Sequence, residues 1–462
     1  MHRTVVLDVV GLSSDLLGSS TPNLSRLAAR GGARPLETIL PAVTCSVQST
    51  FLTGAPPRDH GAVGNGWYFR DTAEVALWKQ SNHLISGDKL WDAARRRDPA
   101  FTCAMLFWWY NMYSAADWSV TPRPIYLADG LKLPEFYTEP PELHRELSER
   151  LGPFPLFDFW GPRAGIACTK WITRCARQIY DARRPTLSLV YLPHLDYDLQ
   201  RFGPDDPRIA RALREVDEAA GELIDHVERD GARVIVLSEY GITRVTGAVH
   251  INRALRRAGL LRVREELGLE KLDAGASDAF AVADHQVAHV YVRSPARVAE
   301  VKALVEGLEG VESVLDEEGK RAAGLDHPRS GELVAITRKD RWFSYYYWLD
   351  DARAPEFART VDIHRKPGYD PVELFADPAI RALPVKIGWT LLKKALGFRY
   401  LMDVIPLDTG LVKGSHGRLN DAPGEGPMIA SSEPRLLPEG GGGLRADRVK
   451  DLILSHVFDE VS

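Results

Sequence analysis

Residues 4–10, TVVLDVV, hold apolar β-branched side chains on both sides of the chain around one carboxylate. That is the pattern of a strand covered on both faces, since a half-exposed strand alternates. In the following STPNLSRLAARGG, Thr21 reads as an N-cap, Pro22 as the first helical residue and the glycines as the stop. The unit recurs: PTLSLVYLP is a second fully apolar strand, and residues 205–231 place Ile209, Leu213, Val216, Ala220, Leu223 and Val227 on one helical face. ARVIVLSEYG is a third such strand. Strands alternating with helices predict an α/β fold with a doubly wound, mostly parallel sheet flanked by helices, whose ligands sit at the carboxyl ends of the strands. Residues 1–285 are assigned to this core, with 105–165 as a possible cap over the site. QVAHVYV, SPARVAEVKALVEGLEG, VESVL and GELVAIT read as strand, helix, strand, strand, a small α+β insertion over 286–350. Residues 351–439 return to the core, and glycines 440–443 are a flexible joint to a short amphipathic tail over 440–462.

The 462 residues are 45% apolar and 26% charged, the balance of an ordinary globular protein. A net charge of −5, without a long Lys/Arg block, argues against a nucleic-acid polymer as partner and leaves small molecules as the expected ligands. Asp8 interrupts the first apolar run too early for a signal peptide, and no apolar stretch reaches the roughly 18–20 residues that span a bilayer, so a cytoplasmic location is expected. Cys45, Cys103, Cys168 and Cys175 are too few and too irregularly spaced for a disulfide framework or a zinc ribbon.

The acidic residues change the picture. The first strand holds Asp8, the second runs into HLDYDLQ and the third ends in SEYG. A single such carboxylate often only caps the next helix; three gathered at one sheet edge point to a metal or phosphoryl site. PAVTCSVQSTFLTG, residues 41–54, adds an uncharged segment in which Thr44 reads both as a helix cap and as a nucleophile at a phosphate-binding helix N-terminus.

With RDHGAVGNGWY, DYDLQRFGP, VLSEYG and GSHGR following in that order, the chain resembles the alkaline phosphatase superfamily, specifically its type I phosphodiesterase/nucleotide pyrophosphatase branch. The resemblance implies a metal-dependent hydrolase of small phosphate esters (nucleotide, lipid or other), in which Thr44 attacks phosphorus and passes through a phospho-threonine. It further implies two divalent ions, zinc by resemblance, about 4 Å apart. Asp8, Thr44, Glu239 and Tyr240 would surround one ion, and Asp196, Gln200 and His416 the other. Asn65 would contact phosphate or serve a turn.

The chain departs from that pattern where Gln200 and Tyr240 replace imidazoles and Glu239 replaces Asp. A Gln oxygen suits harder ions than zinc, and Tyr is a rare zinc ligand, so Mn²⁺ or Mg²⁺, or a single ion, enters the expectation. Asp284 and His285 are an adjacent pair that would restore the shell, with His194, His250 and His364 as further candidates; His289 reads as structural, and Asp59 and His60 as supports for the segment after Thr44. Two readings compete with hydrolysis: an altered member that binds a phosphorylated metabolite or lipid without turnover, and other phosphoryl or phosphonate chemistry on the same core. FWWYNMY, residues 107–113, reads as core packing or as a wall of the mouth. Residues 383–402 read as a partly buried helix covering the site, in preference to peripheral membrane contact.

Overall fold

The three apolar runs become neighbouring parallel strands in the computed structural model, which describes residues 1–128, 131–362, 366–438 and 442–460. In chain order these strands and their partners are β1 (Thr4–Val9), β2 (Ala33–Glu37), β3 (Cys103–Leu106), β4 (Trp118–Pro122), β5 (Phe136–Glu139), β6 (Leu187–Leu192) and β7 (Arg233–Leu237). A second sheet holds β8 (Ala279–Asp284), β9 (Val287–Val292), β10 (Val311–Leu315) and β11 (Leu333–Thr337), before β12 (Met428–Ser431) and β13 (Leu444–Arg445) return to the first. The nine-stranded sheet runs β13-β2-β12-β7-β1-β6-β3-β4-β5. Its middle strands, β7 through β4, are mutually parallel, while β12 and β5 pair antiparallel to them on either side. Every residue of β1, β6 and β7 is buried, as runs without polar alternation require. In register, Asp8 of β1 lies between Tyr191 of β6 and Leu237 of β7, near the carboxyl ends of all three strands.

The helices follow their caps and apolar faces. They are α1 (Pro22–Gly31), α2 (Thr44–Thr53), α3 (Ile166–Arg183), α4 (His194–Phe202), α5 (Ile209–Arg229), α6 (Leu383–Ala395) and α7 (Val449–Phe458). The six apolar positions picked out on α5 are all buried. Thr21 stands at the N-cap of α1 without capping it, because its hydroxyl accepts from the Gly18 N–H instead. The free N–H groups of α1 are met from α5, where Asp217 accepts from Asn23 (3.1 Å) and Leu24 (2.8 Å). A carboxylate against a positive helix end joins the two helices as well as capping one.

Four expectations change. The four-stranded sheet starts at Ala279, not at 286: β8 and β9 form one antiparallel hairpin, and a boundary at 286 would cut it. Residues 105–165 are not a separate cap, since they supply β4 and the edge strand β5, although Trp109, Phe159 and Trp160 do reach the site. The tail is part of the core, because β13 pairs with β2 and α7 buries most of its length against α2; Gly440 and Gly441 of the expected joint lie outside the described residues. Helix α6 does not close over the site with an apolar face, as Thr390 is its only buried residue.

Residues 366–375 bury three ionisable groups. Lys366 pairs with Glu373, and Asp370 lies nearby with Oδ1 accepting from the Val372 N–H and Oδ2 without a partner. Burial, and then the charge of Glu373, push the Asp370 carboxyl up to about 7. Between the unfolded carboxylate value near ~4 and that value, the unfolded chain has released a proton that the folded chain keeps, so stability falls as pH rises through this window. Asp370→Asn, which cannot titrate, is therefore expected to shrink the loss of melting temperature between pH 5 and pH 8; a loss equal to wild type would contradict the assignment. In β1, Leu7 is fully buried at the centre of the sheet. Leu7→Ala is expected to cost about 2–5 kcal/mol in denaturant unfolding.

Candidate active site

The segment around Thr44 has no charge, and all ten residues of α2 are buried. Val43, in extended conformation, is the N-cap, so Thr44 is the first helical residue and not the cap. Gln48 follows one turn later on the same face. Thr44 Oγ1 lies 3.3 Å from the Tyr240 hydroxyl. The Gln48 amide nitrogen donates to Glu239 Oε1 (2.6 Å) and to Asp8 Oδ2 (3.2 Å). Its own oxygen accepts from the Trp109 N–H at 2.8 Å, which fixes the amide's orientation. Gln48 is thus a site residue that the sequence reading passed over, although its spacing from Thr44 was the signal for it.

Asp8 and Glu239 are fully buried with no cationic side chain beside them among the described residues. Burial raises both carboxyls, Asp8 to about 7, and the charge of Asp8 raises Glu239 further. Two desolvated carboxylates this close each make ionisation of the other harder. One oxygen of each, Asp8 Oδ1 and Glu239 Oε2, has no hydrogen-bond partner among the described residues. The nearby Thr44 hydroxyl opposes the rise at Glu239.

The Tyr240 hydroxyl links this half to the other, lying 3.3 Å from Asp196 Oδ1 as well as from Thr44. Gln200 donates to Asp196 Oδ2 at 2.6 Å, one helical turn along α4, and its own oxygen is unpartnered. Burial raises Asp196 to about 7, with the Gln200 and Tyr240 bonds opposing. The Tyr240 ring stacks flat on His416, with centroids 3.6 Å apart and planes at 3°. His416 Nδ1–H donates to the Ala42 carbonyl (2.9 Å), and burial holds its pKa down to about 3, so Nε2 carries a lone pair. Gly414, two residues before His416, lets the chain run close against α4: a Cβ there would fall 2.1 Å from the Leu199 carbonyl oxygen. His285 sits behind His416 at 3.9 Å, neutral through burial, in a left-handed conformation (φ 56°) at the tip of the β8–β9 hairpin.

Asp284, the other half of that pair, turns to Asn65, accepting from its N–H (2.7 Å) and its amide (3.1 Å), and from the Tyr369 hydroxyl. Asn65 in turn accepts from the Cys45 N–H in the first turn of α2, so Asp284 braces the Thr44 segment indirectly. His60 does so too, through Thr50 (3.0 Å), whereas Asp59 is exposed. His194 bonds Glu215, His250 bonds Ser344, and His289 bonds the Val63 carbonyl; none lines the cavity. His364 lies outside the described residues. Thr44, Asn65, Asp196, Tyr240, His285 and His416 face one narrow cavity of about 40 Å³, walled by aromatic rings that include Trp109 and Trp160 from the stretches flanking β4 and β5.

The described residues by themselves do not reproduce the two-ion centre implied by resemblance. Among the described residues no group of three or more His, Cys, Asp or Glu side chains is arranged to hold a metal ion. Amide N–H groups of Gln48 and Gln200 lie on the carboxylates that ions would contact. The unpartnered oxygens of Asp8 and Glu239, with Thr44 beside them, are a smaller, all-oxygen set suited to one hard cation.

Residues 4–370 match the family described as Type I phosphodiesterase / nucleotide pyrophosphatase. An uncharacterized pyrophosphatase/phosphodiesterase of Schizosaccharomyces pombe is 26% identical over 250 residues, 52% of this chain and 44% of that protein, so the match spans less than half of the relative's length. Phosphonoacetate hydrolase from Sinorhizobium meliloti 1021 superposes with a TM-score of 0.62 at 14% identity, covering 99% of this chain and 96% of that one. Murine ectonucleotide pyrophosphatase/phosphodiesterase 5, in an inactive form with AMP, superposes at 0.58 and 14% identity, covering 100% and 96%. These place the sheet and its helices in the alkaline-phosphatase-like fold. The chain belongs to the type I phosphodiesterase/nucleotide pyrophosphatase family.

Proposed function

We propose that this chain hydrolyses small phosphate esters with Thr44 as nucleophile. The observation that carries the reading is the setting of Thr44: first residue of a buried helix, 3.3 Å from the Tyr240 hydroxyl and close to the Glu239 carboxylate. The positive end of α2 favours a phosphoryl group in front of Thr44. Glu239 takes the hydroxyl proton as Oγ1 forms its bond to phosphorus and the bond to the leaving oxygen breaks. Asp8, in contact with Glu239, gives that proton a second carboxylate to reside on. Water then attacks the phospho-threonine, releasing phosphate and returning the proton to Thr44. Neutral His416 and Tyr240, locked by stacking, keep their positions beside the phosphorus through both steps. Aromatic walls exclude water and receive an apolar or aromatic leaving group.

Asp8, Glu239 and Thr44 would hold one hard divalent ion, which when bound supplies Lewis-acid activation of the hydroxyl. Binding of a phosphorylated ligand without turnover, which the Gln48 and Gln200 amides on their carboxylates would suit, is the less favoured reading.

Turnover of bis-p-nitrophenyl phosphate and p-nitrophenyl phosphate, measured with Mg²⁺, Mn²⁺ or Zn²⁺, is expected to fall by about 10³-fold or more in Thr44→Ala, as for loss of a nucleophile. If wild type is no faster than Thr44→Ala with every metal and substrate, the binding reading replaces hydrolysis. Metal analysis is expected to find at most one tightly held ion per wild-type chain. The double variant Gln200→His with Tyr240→His, which restores both imidazoles, is expected to gain zinc; two ions in wild type would contradict the fit described above.

A further inference from the structure

Helix α6 is amphipathic in the reverse sense for a helix on a protein surface. Leu383 and Ile387 face inward, against the cluster built on Trp342, Val372 and Ile405. Val385, Trp389, Leu392 and Leu396, spaced four, three and four residues apart, form one outward stripe, with Val385 72% and Leu396 63% exposed. Leu391 widens the stripe, and Phe398 and Leu401 continue it past the helix end. Of the fifteen large apolar residues exposed on the described chain, seven fall between residues 385 and 401. Singly exposed apolar residues are normal, but a contiguous patch marks a surface that something covers.

Charge says what covers it. Residues 378–402 contain Arg381, Lys386, Lys393, Lys394 and Arg399 and no Asp or Glu, in a chain whose net charge is −5. Lys386 pairs with Asp403 and Arg399 with Glu356, but Arg381, Lys393 and Lys394 have no acidic partner among the described residues. A second copy of this chain would set the same cations against each other across a two-fold axis, whereas an anionic bilayer complements them. Lys393, with its ammonium 5.7 Å from the Trp389 ring, has the long stem that lets a charge stay in the headgroup layer above a buried apolar side. The helix has 13 residues, and no helix among the described residues is long and apolar enough to cross a membrane, so α6 would lie in the interface plane.

We propose that α6 and the segment through Leu401 dock this protein on an anionic phospholipid surface, with Trp389, Leu392 and Leu396 entering the acyl boundary, Lys393 beside the stripe meeting lipid phosphates and Lys394, on the opposite face, adding to the positive field. The proposal is independent of the hydrolase reading. Its test is co-sedimentation of the full chain with vesicles of phosphatidylcholine alone and with about 30 mol% phosphatidylserine, at low and raised salt. Wild type is expected to sediment with the anionic vesicles, little with the neutral ones, and to be released by salt. Lys393→Glu with Lys394→Glu is expected to weaken partitioning about 30-fold or more, from roughly fivefold per lost charge. Trp389→Ser with Leu392→Ser and Leu396→Ser is expected to abolish it, with the melting temperature of both variants unchanged to show that the fold persists. Equal sedimentation with neutral and anionic vesicles, or none with either, would overturn the proposal. So would light scattering that shows a wild-type dimer turned into a monomer by the serine substitutions, because a second copy would then cover the patch.

Discussion

Two carboxylates, Asp8 and Glu239, are buried close together at the carboxyl ends of the central strands with no cationic side chain among the described residues to meet them, and the architecture of the site answers that constraint. Desolvation makes it costly to ionise such a pair. The protein answers with the Gln48 amide, which donates to both and is itself pinned by the Trp109 backbone. Because Gln48 stands one turn after Thr44 on α2, the interaction that satisfies the carboxylates also sets the position and rotation of the helix that presents the hydroxyl.

The second half of the site repeats the device with different side chains. Asp196 is served by Gln200 and Tyr240 where the family resemblance leads one to expect imidazoles. Tyr240 compensates for the missing imidazole by geometry, lying flat on His416 and carrying its hydroxyl to a point equidistant from Thr44 and Asp196. A phenol in that place donates a proton and stacks; it contributes little as a ligand to zinc.

Much of the fold could be read from residue patterns, for a plain reason. A strand buried on both faces must be apolar throughout, so TVVLDVV, LSLVYL and RVIVL announce central parallel strands, and the lone Asp8 inside the first announces chemistry. Helix α5 was equally legible, since its apolar stripe has one solution at 3.6 residues per turn. Boundaries were less so. The hairpin of β8 and β9 is cut by the boundary at 286 because AFAVAD and VAHVYV are each apolar, and only their pairing shows that they are one unit. The tail looked detachable because glycines precede it, yet α7 is held by packing against α2, a contact between opposite ends of the chain.

By itself the sequence determined the residue types that can do chemistry and the sheet edge at which they collect: Asp8, Thr44, Asp196, Glu239 and His416 follow from strand ends and ordered motifs. Tertiary structure decided which partners those residues have. It turned Asp284 away toward Asn65, brought His285 against His416, put Gln48 between two carboxylates and left the apolar side of α6 facing outward. Periodicity reports which face of an element is apolar but not what meets that face. Hydrogen bonds between residues some 200 positions apart, such as Gln48 to Glu239, exist only once packing has closed the chain around them.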